Sequence, residues 1–388
     1  PDGPRPSFSR AVWRIAAAEV SAGNAVKLLR DGPQTFELML KVIDEAQRTI
    51  EFEGYIYHDD EVGIRFADAF RAAAQRGVKV RMLVDWLGRL PTRARFFHAI
   101  AAAGVDVRLF NPVGWRSWFG ILPRDHRKLL VADDRVGVTG GLGIGKEWGY
   151  GWIRRKKRHR GPWRDTAVSI EGPAALDMRE SFDRMWARAL GRTPEWRRLR
   201  TPRRGRVQDS HLNTRFHPPS LVGIIEGEPG RLRVSRVMQL QAVAAQRSIW
   251  IASAYFIPSF GEMEALGGAA RDGVDVRVLV PSKYDHPWLR SLTMLSYARL
   301  LKSGVRLWEW RGDMMHAKTT VVDGRWLRVG STDLNPLAVA INYELDAIIE
   351  DRALGIEAEA MFLEDLERSE EIHLPGQQPA NKPRGATP

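Results

Sequence analysis

The chain has 388 residues, a formal net charge of +12 and no cysteine. This length favours two domains over one, and the lack of cysteine excludes disulfides, thiolate metal sites and cysteine nucleophiles. No run reaches the roughly eighteen apolar residues that a membrane-spanning helix needs. Because the sequence starts at Pro1 rather than Met, it is also compatible with an upstream membrane anchor.

Two halves of the chain repeat the same order of elements after an N-terminal helical segment predicted for residues 1–20. Ala46–Ile50 resembles Ala245–Ile249, and Gly77–Val84 resembles Gly273–Val280. Each half reads as three helix–strand pairs followed by a strand that carries a motif. The pattern predicts the α/β class, with two pseudo-twofold related α/β/α sandwich domains, mixed sheets flanked by helices, and an active site at their interface. The predicted ranges are 21–205 for the first domain, 206–220 for a linker, 221–372 for the second domain and 373–388 for a disordered tail.

Tryptophan and arginine alternate in the segment before the first motif, at Trp115, Arg116 and Trp118. Indole and guanidinium groups suit a membrane interface, where the ring lies among head groups and the cation meets phosphate. The alternative is that these rings pack against Trp148 and Trp152 as a domain edge.

The positive charge is concentrated between the halves. Residues 151–206 contain 17 Lys and Arg against 6 Asp and Glu, including Arg154, Arg155, Lys156, Lys157 and Arg158. Such clustering is typical of contact with a polyanion, either anionic lipid or nucleic acid, or of a solvated linker.

One motif, H-x-K-x4-D, occurs twice at positions 190 residues apart. The first copy is His126, Lys128 and Asp133, and the second is His316, Lys318 and Asp323. A glycine-containing turn follows fourteen residues after each histidine, as Gly140-Gly141 and Gly330-Ser331. In a strand, residues two apart share a face, so each histidine is predicted to project with its lysine. The repetition predicts that both copies contribute to one site.

Paired histidines and lysines suit metal-free transfer of a phosphodiester. One imidazole would attack phosphorus to form a phosphohistidine, the other would protonate the leaving alkoxide, and the lysines would stabilise the phosphoryl oxygens. A metal site is disfavoured because the lysines would repel a cation, and no cofactor is predicted.

Several further residues are predicted to support this chemistry. A carboxylate should fix the tautomer of each histidine, and the candidates are Glu147 for His126 and Glu344 for His316. Asp133 and Asp323 are counted with the catalytic motif residues and are expected to pair with a lysine or to close a turn. The turns are expected to let backbone amides approach the phosphate, with Gly140, Gly141, Gly330, Ser331 and Asp333 as the phosphate-binding positions.

These residues give the chain its resemblance to the phospholipase D superfamily, and within it to bacterial cardiolipin synthases. The resemblance covers roughly residues 20–372 and includes Asp125–Lys128, Trp163–Thr166, Tyr255–Pro258 and Asn342–Glu344. It implies a phospholipase D-like fold and a phosphatidyltransferase that joins two phospholipids, typically two phosphatidylglycerols, to give cardiolipin and glycerol. Of the two histidines, the resemblance favours His126 as the nucleophile.

Two positions depart from the family pattern, which often has Asn three residues after the first glycine of each turn. Gly143 and Asp333 stand there, and Asn335 occupies a position where the family usually has Asp. An ionised Asp333 beside a phosphate would be repulsive unless Lys318 or a proton neutralised it.

The sequence predicts a peripheral enzyme on the cytoplasmic side of the inner membrane, with phospholipids and an anionic membrane surface as its partners. A hydrolase that uses water as the acceptor is the main alternative. A nuclease and a phosphate-binding scaffold without activity are the others, and nucleic acid is the less favoured polyanion. The sequence predicts no oligomeric state.

Overall fold

The computed structural model describes residues 8–112, 123–149, 162–191, 220–285 and 287–374. The first half contains α1 (Phe8–Ala16), β1 (Val20–Arg30), α2 (Asp31–Glu45), β2 (Thr49–Gly54), α3 (Glu61–Gln75), β3 (Lys79–Asp85), α4 (Ala94–Ala102), β4 (Asp106–Phe110), β5 (Leu129–Ala132), β6 (Val136–Gly140), α5 (Lys146–Gly149), β7 (Thr166–Glu171) and α6 (Pro173–Ala189). The second half contains β8 (Ser220–Gly227), α7 (Arg233–Ala244), β9 (Ser248–Ser253), α8 (Phe260–Arg271), β10 (Asp275–Pro281), α9 (Pro287–Lys302), β11 (Arg306–Trp310), β12 (Lys318–Val322), β13 (Trp326–Gly330), α10 (Pro336–Ala340), β14 (Glu344–Glu350), α11 (Arg352–Glu367) and β15 (Ser369–Ile372).

The strands form one mixed sheet with an internal repeat. The order β1-β7-β6-β5-β2-β3-β4 in the first half recurs as β8-β14-β13-β12-β9-β10-β11 in the second, with β15 added at the edge. The pairs β2–β3, β3–β4, β9–β10 and β10–β11 are parallel, and the other pairs are antiparallel. The predicted α/β class with two related halves is confirmed. The sheet also continues from one half to the other, because β1 pairs with β8.

Matching local sequences produce the matching strands. β3 and β10 each present a run of buried apolar residues, Met82 to Val84 and Val278 to Val280, as strands covered on both faces do. The turn before each strand contains a glycine with positive φ, +88° at Gly77 and +92° at Gly273. Glycine adopts this left-handed conformation without strain, which lets the chain leave the helix and enter the strand.

The two halves share a hydrophobic core. One continuous cluster contains Met178 and Phe182 of α6 together with Met361 and Phe362 of α11. Two further clusters lie under helices of a single half, one beneath α2 and α3 and the other beneath α8 and α9. Because the largest cluster draws on both halves, burial of its apolar surface favours their association directly.

A buried arginine ties the halves together at the junction. Arg164 Nε lies 2.9 Å from Asp365 Oδ2 of α11, and its Nη1 lies 3.3 Å from Asp31 Oδ1 of α2. Asp31 and Asp165 also exchange hydrogen bonds, with Asp31 N donating to Asp165 O and Asp165 N donating to Asp31 Oδ1, each at 3.0 Å. Removal of one partner from such a buried charge network costs about 3–5 kcal/mol. The segment before β7 is therefore held firmly against both α2 and α11.

The motif aspartates close turns at the end of each motif strand that is remote from the histidine. Asp133 accepts hydrogen bonds from the backbone N–H groups of Gln47, Arg48 and Thr49 at 2.7–2.9 Å. Asp323 accepts the equivalent bonds from Gln246, Arg247 and Ser248. Both have positive φ, +55° and +54°. Of the two expected roles, the structure shows turn closure, so these residues act on the fold and do not contact the histidines.

Several predicted segments lie partly or wholly outside the described residues. They are most of the linker at 206–220, nearly all of the tail at 373–388, and the candidate membrane-contact residues Trp115, Arg116, Trp118, Arg154, Arg155, Lys156, Lys157 and Arg158. Among the helices that the structure describes, none is both long and apolar enough to span a bilayer.

We expect Asp133→Ala to lower the free energy of unfolding by about 1–3 kcal/mol, because three backbone donors lose their acceptor. Burial raises the pKa of Asp133, but the amides of Gln47, Thr49 and Arg48 outweigh it and hold the pKa below its usual value. A depressed folded-state pKa stabilises the fold above the unfolded pKa, and this stabilisation is lost as pH falls through the folded pKa.

Urea unfolding at several pH values tests this expectation. The stability difference between wild type and Asp133→Ala should shrink toward acid pH. Asp44→Ala, at a side chain that is 85% exposed, is the control. Loss of turnover by Asp133→Ala at unchanged stability would instead indicate a catalytic role.

Candidate active site

Each motif histidine is positioned by a segment from the other half. His126 N donates to Tyr343 O at 2.9 Å, and His316 N donates to Arg164 O at 2.7 Å. The regular strands begin only at Leu129 and Lys318, so both histidines lie just before a strand rather than within one. The prediction that they are strand residues was wrong in this detail, because each histidine segment forms an isolated bridge across the junction before the sheet begins.

The carboxylate that orients each histidine also comes from the other half. His126 Nδ1 lies 3.1 Å from both carboxylate oxygens of Glu344, and His316 Nδ1 lies 2.8 Å from Asp165 Oδ2. Glu344 was expected to orient His316, and the structure corrects this assignment. In both pairs the carboxylate occupies Nδ1, which directs Nε2 toward the reacting group.

Glu147, the expected partner of His126, contacts a different histidine. Its Oε2 lies 3.4 Å from His58 Nδ1. The physical reason is helical geometry in α5, where successive side chains point about 100° apart. Trp148 takes the inward direction instead, with its ring 5.5 Å from that of His316 and its Nε1 donating to Asp165 Oδ2 at 2.9 Å.

Asp165 is the functional residue that spacing alone does not identify. It lies inside the family-like segment Trp163–Thr166, but its spacing from His316 along the sequence has no counterpart at the other motif that would identify it. The repeat of the sheet supplies the missing signal. Asp165 immediately precedes β7, and Glu344 begins the corresponding strand β14.

The two lysines occupy equivalent buried positions beside the histidines. Lys128 Nζ donates to His126 O, and Lys318 Nζ donates to His316 O at 2.7 Å. Tyrosine rings lie near both cations, with Tyr55 5.6 Å from Lys128 Nζ and Tyr255 5.8 Å from Lys318 Nζ. Burial lowers the pKa of the Lys128 amine to about 8, although Glu344 opposes the shift. Two fixed ammonium groups at one site suit the stabilisation of phosphoryl oxygens.

Burial also controls the protonation of the histidine pairs. It lowers the pKa of His126 and of His316 well below the usual value, and the neighbouring lysines lower both further. Burial raises the pKa of Asp165 to about 6 and that of Glu344 to about 8. These shifts favour the neutral form of both imidazoles, which is the form that a nucleophile or a general base requires.

The glycine turns lie in close contact with neighbouring strands. The amides of Gly141 and Ser331 already donate to Thr166 O and Leu345 O. A Cβ on Gly141 would lie 2.2 Å from Asp165 Oδ1, and a Cβ on Gly330 would lie 2.4 Å from Asp346 Oδ1. The same limit holds at Gly140, where a Cβ would lie 2.5 Å from Thr166 O. These close contacts give the glycines a packing role, because the turns must admit the carboxylate strands, and their phosphate-binding role stays a prediction.

Ser331 and Asp333 have side-chain roles in the site. Ser331 Oγ donates to Glu344 Oε2 at 2.5 Å and so holds the carboxylate that orients His126. Asp333 Oδ1 lies 3.5 Å from Lys318 Nζ. Asn335 lies outside this cluster and accepts a bond from Ala338 N, which caps α10.

One group of metal-type ligands lies away from the catalytic histidines. Among the described residues, His58, Asp60 and Glu147 bring three ligand atoms within 4.8 Å of one another. Asp60 Oδ1 already accepts bonds from Val62 N and Gly63 N, and its Oδ2 accepts one from Lys146 N. Because these oxygens cap α3 and fix α5, the group is accounted for as a structural contact.

We expect Asp165→Asn to lower kcat on the order of 10³-fold without unfolding the protein. Thr166 N donates to Asp165 Oδ1, whereas Trp148 Nε1 donates to Oδ2, the oxygen that also lies beside His316 Nδ1. An asparagine that keeps its amide oxygen at the Oδ1 position would turn its NH₂ toward His316. That contact favours the wrong imidazole tautomer.

Steady-state kinetics and thermal unfolding test this expectation, with Glu147→Gln as the matched control. The control should stay within about threefold of wild type, because Glu147 contacts neither motif histidine. A larger loss for Glu147→Gln than for Asp165→Asn would contradict the exchanged pairing.

Known proteins resemble this chain over most of its length. The family described as "Cardiolipin synthase, PLD-like domain" matches residues 39–186 and 241–366. The chain is 31% identical over 378 residues to cardiolipin synthase 1 of Bacillus cereus, covering 94% of this chain and 71% of that relative. It is 32% identical over 339 residues to cardiolipin synthase B of Escherichia coli, covering 85% and 77%.

The fold is also similar to that of a solved enzyme. The crystal structure of a phosphatidylserine synthase from Haemophilus influenzae superposes with a TM-score of 0.66 at 16% identity, covering 94% of this chain and 92% of that one. At this identity the likeness concerns the fold alone. The family match across both halves and the two similar relatives carry the assignment: the chain belongs to the cardiolipin synthase family of the phospholipase D superfamily, a family of phosphatidyltransferases.

Proposed function

We propose that the protein transfers a phosphatidyl group from one phospholipid to the hydroxyl of another through a phosphohistidine. The observation that carries this proposal is the pair of imidazoles, partly exposed at His126 and buried at His316, each oriented by a carboxylate and each beside a lysine. Two phosphatidylglycerols are the proposed substrates, and cardiolipin and glycerol are the proposed products. The similarity to cardiolipin synthases supports this choice.

In the first half-reaction, His126 Nε2 attacks the phosphorus of the donor lipid. The P–N bond forms, the P–O bond to glycerol breaks, and the leaving alkoxide takes a proton from His316. The bound phosphodiester supplies a negative charge that raises the pKa of His316, so His316 takes up from solvent, as the lipid binds, the proton that it then donates. Lys128 and Lys318 stabilise the charge on the nonbridging oxygens.

In the second half-reaction, the same groups work in reverse. His316 accepts the proton of the incoming hydroxyl, the alkoxide oxygen attacks phosphorus, and the P–N bond to His126 breaks. The attacking and leaving groups thus use one acid–base residue in turn. With water as the acceptor, the same steps would give phosphatidic acid.

We propose an anionic membrane surface as the partner of the described face around α9. This helix carries Arg290, Arg299 and Lys302 and no acidic residue, which suits anionic head groups. Large apolar side chains are exposed here, with Leu295 78% and Phe260 63% exposed, together with Leu292 and Met294.

The same helix lies close in sequence and in space to the active site. The loop before α9 holds Asp285, whose carboxylate accepts from the Tyr255 hydroxyl at 2.7 Å. Tyr255 in turn lies 6.2 Å from the His316 ring, between centroids. An α9 face in the head-group layer would therefore bring lipid to the histidines.

The first test of the reaction is purified protein with phosphatidylglycerol vesicles, with lipids and released glycerol measured by mass spectrometry. Cardiolipin and glycerol in equal amounts are expected, and His126→Ala and His316→Ala should each lose more than about 10³-fold of the rate. Phosphatidic acid as the sole product would indicate a hydrolase. An active His126→Ala or His316→Ala variant would refute the shared site.

The membrane contact has a separate test. We expect the double variant Leu292→Gln, Leu295→Gln to bind phosphatidylglycerol vesicles about tenfold more weakly in co-sedimentation, because two apolar side chains lose their burial in lipid. Ile356→Gln is the control. Its side chain is also exposed, but Gly355 packs against Gly324, at the end of β12 remote from His316. Equal loss in both proteins would contradict the α9 contact.

A further inference from the structure

Asp333 places a carboxyl group inside the cluster that the proposed reaction assigns to phosphate. The residue is only 2% exposed, and its Oδ1 accepts no hydrogen bond from the described residues. The nearest cation is Lys318 Nζ at 3.5 Å. A buried polar atom left in this state is unfavourable unless a ligand completes its interactions.

The other half has no such group. Gly143 occupies the matching position, three residues after the first glycine of its turn. A Cβ there would already lie 3.0 Å from Ile56 and from the ring of Trp148. The matching space is filled by packing, so the carboxyl of Asp333 breaks the pseudo-symmetry of the site.

The groups around Asp333 are the ones that the proposed reaction places around a phosphoryl oxygen. The charged and titratable groups that act on it come from different elements. They are Lys318 of β12, His126 and Lys128 of the segment before β5, Glu344 of β14, and the tyrosines Tyr255 and Tyr284 that precede α8 and α9. A phosphodiester held by the two lysines and attacked by His126 would lie beside Asp333.

An ionised carboxylate in this place would repel the phosphodiester anion, whereas a protonated carboxyl is a hydrogen-bond donor. We propose that Asp333 is a substrate-binding residue that holds the phosphodiester as a neutral carboxyl, donating its O–H to a nonbridging oxygen, so that each substrate bound takes up one proton. The proposal rests on the proposed phosphodiester chemistry of the site. Burial already raises the pKa of Asp333 in the empty site, against the opposing effect of Lys318.

Binding of the phosphodiester is coupled to the uptake of one proton by Asp333. Free protein with ionised Asp333, one phosphodiester anion and one proton from solvent give a complex in which the carboxyl is neutral. At pH values above the pKa of Asp333 in the free protein, the dissociation constant of the phosphodiester should therefore rise by about tenfold per pH unit because of this residue. An amide at the same place donates without a proton, so Asp333→Asn should remove this contribution.

Calorimetry counts the proton directly. The probe is monomeric dihexanoylphosphatidylglycerol, whose phosphodiester does not titrate near neutral pH, and a His126→Ala background prevents turnover. Binding is measured at one pH in two buffers of different ionisation enthalpy. The parent should take up close to one proton more per bound lipid than the form that also carries Asp333→Asn. His316, Glu344 and Lys128 titrate in both proteins, so their contributions cancel in the difference.

Three outcomes separate the inference from the proposed function. A difference close to one proton, with Asp44→Asn identical to the parent, is the expected result. Equal proton uptake in both proteins, with both binding the lipid, overturns the role of Asp333 and leaves the proposed function standing. Absence of binding by either protein contradicts the phosphodiester site itself and removes the inference with it.

Discussion

The exchange of carboxylates between the two halves is the constraint on which the rest of the structure depends. His126 is oriented by Glu344, and His316 is oriented by Asp165. Neither half contains a histidine together with its own carboxylate. The reactive geometry therefore requires a junction that is rigid to a fraction of an ångström. The shared core, the β1–β8 pairing and the buried Arg164 network supply that rigidity.

Within this symmetric frame, the two histidines have different surroundings. Asp165 receives an indole N–H from Trp148, whereas Glu344 receives a hydroxyl from Ser331. Burial raises the pKa of both carboxyl groups, to about 6 at Asp165 and to about 8 at Glu344, and nearby charges and the different donors act on these values as well. The proposed double displacement needs one imidazole that bonds to phosphorus and one that moves protons. The two halves have equivalent backbones but different side chains around their histidines. This difference would give the two histidines different roles within one active site.

The amino-acid sequence predicts the fold and the reactive pairs better than it predicts their supports. The repeated H-x-K-x4-D spacing and the matched strand runs, such as Val80–Val84 and Val276–Val280, predict two related α/β halves and one shared site. Spacing along the chain does not predict the partner of Glu147, because the direction of its side chain depends on its position in the one-turn helix α5.

Spacing also fails for Asp165, since its partner lies 151 positions away in the other half. The glycines of the two turns are easy to find in the sequence, but more than one physical requirement can place a glycine there. A phosphate and a neighbouring strand both demand closeness, and the structure shows the strand requirement at Gly141, where a Cβ would meet Asp165.

The pairing of β1 with β8 and the crossed carboxylates together describe a duplicated unit closed by a twofold axis. A single half alone would hold a histidine without its carboxylate, and two identical copies related by a twofold would complete both pairs at once. Covalent joining of the copies removes the requirement for identity. Gly143 and Asp333 are then free to differ at one equivalent position, a divergence that a symmetric homodimer encoded by one gene cannot achieve.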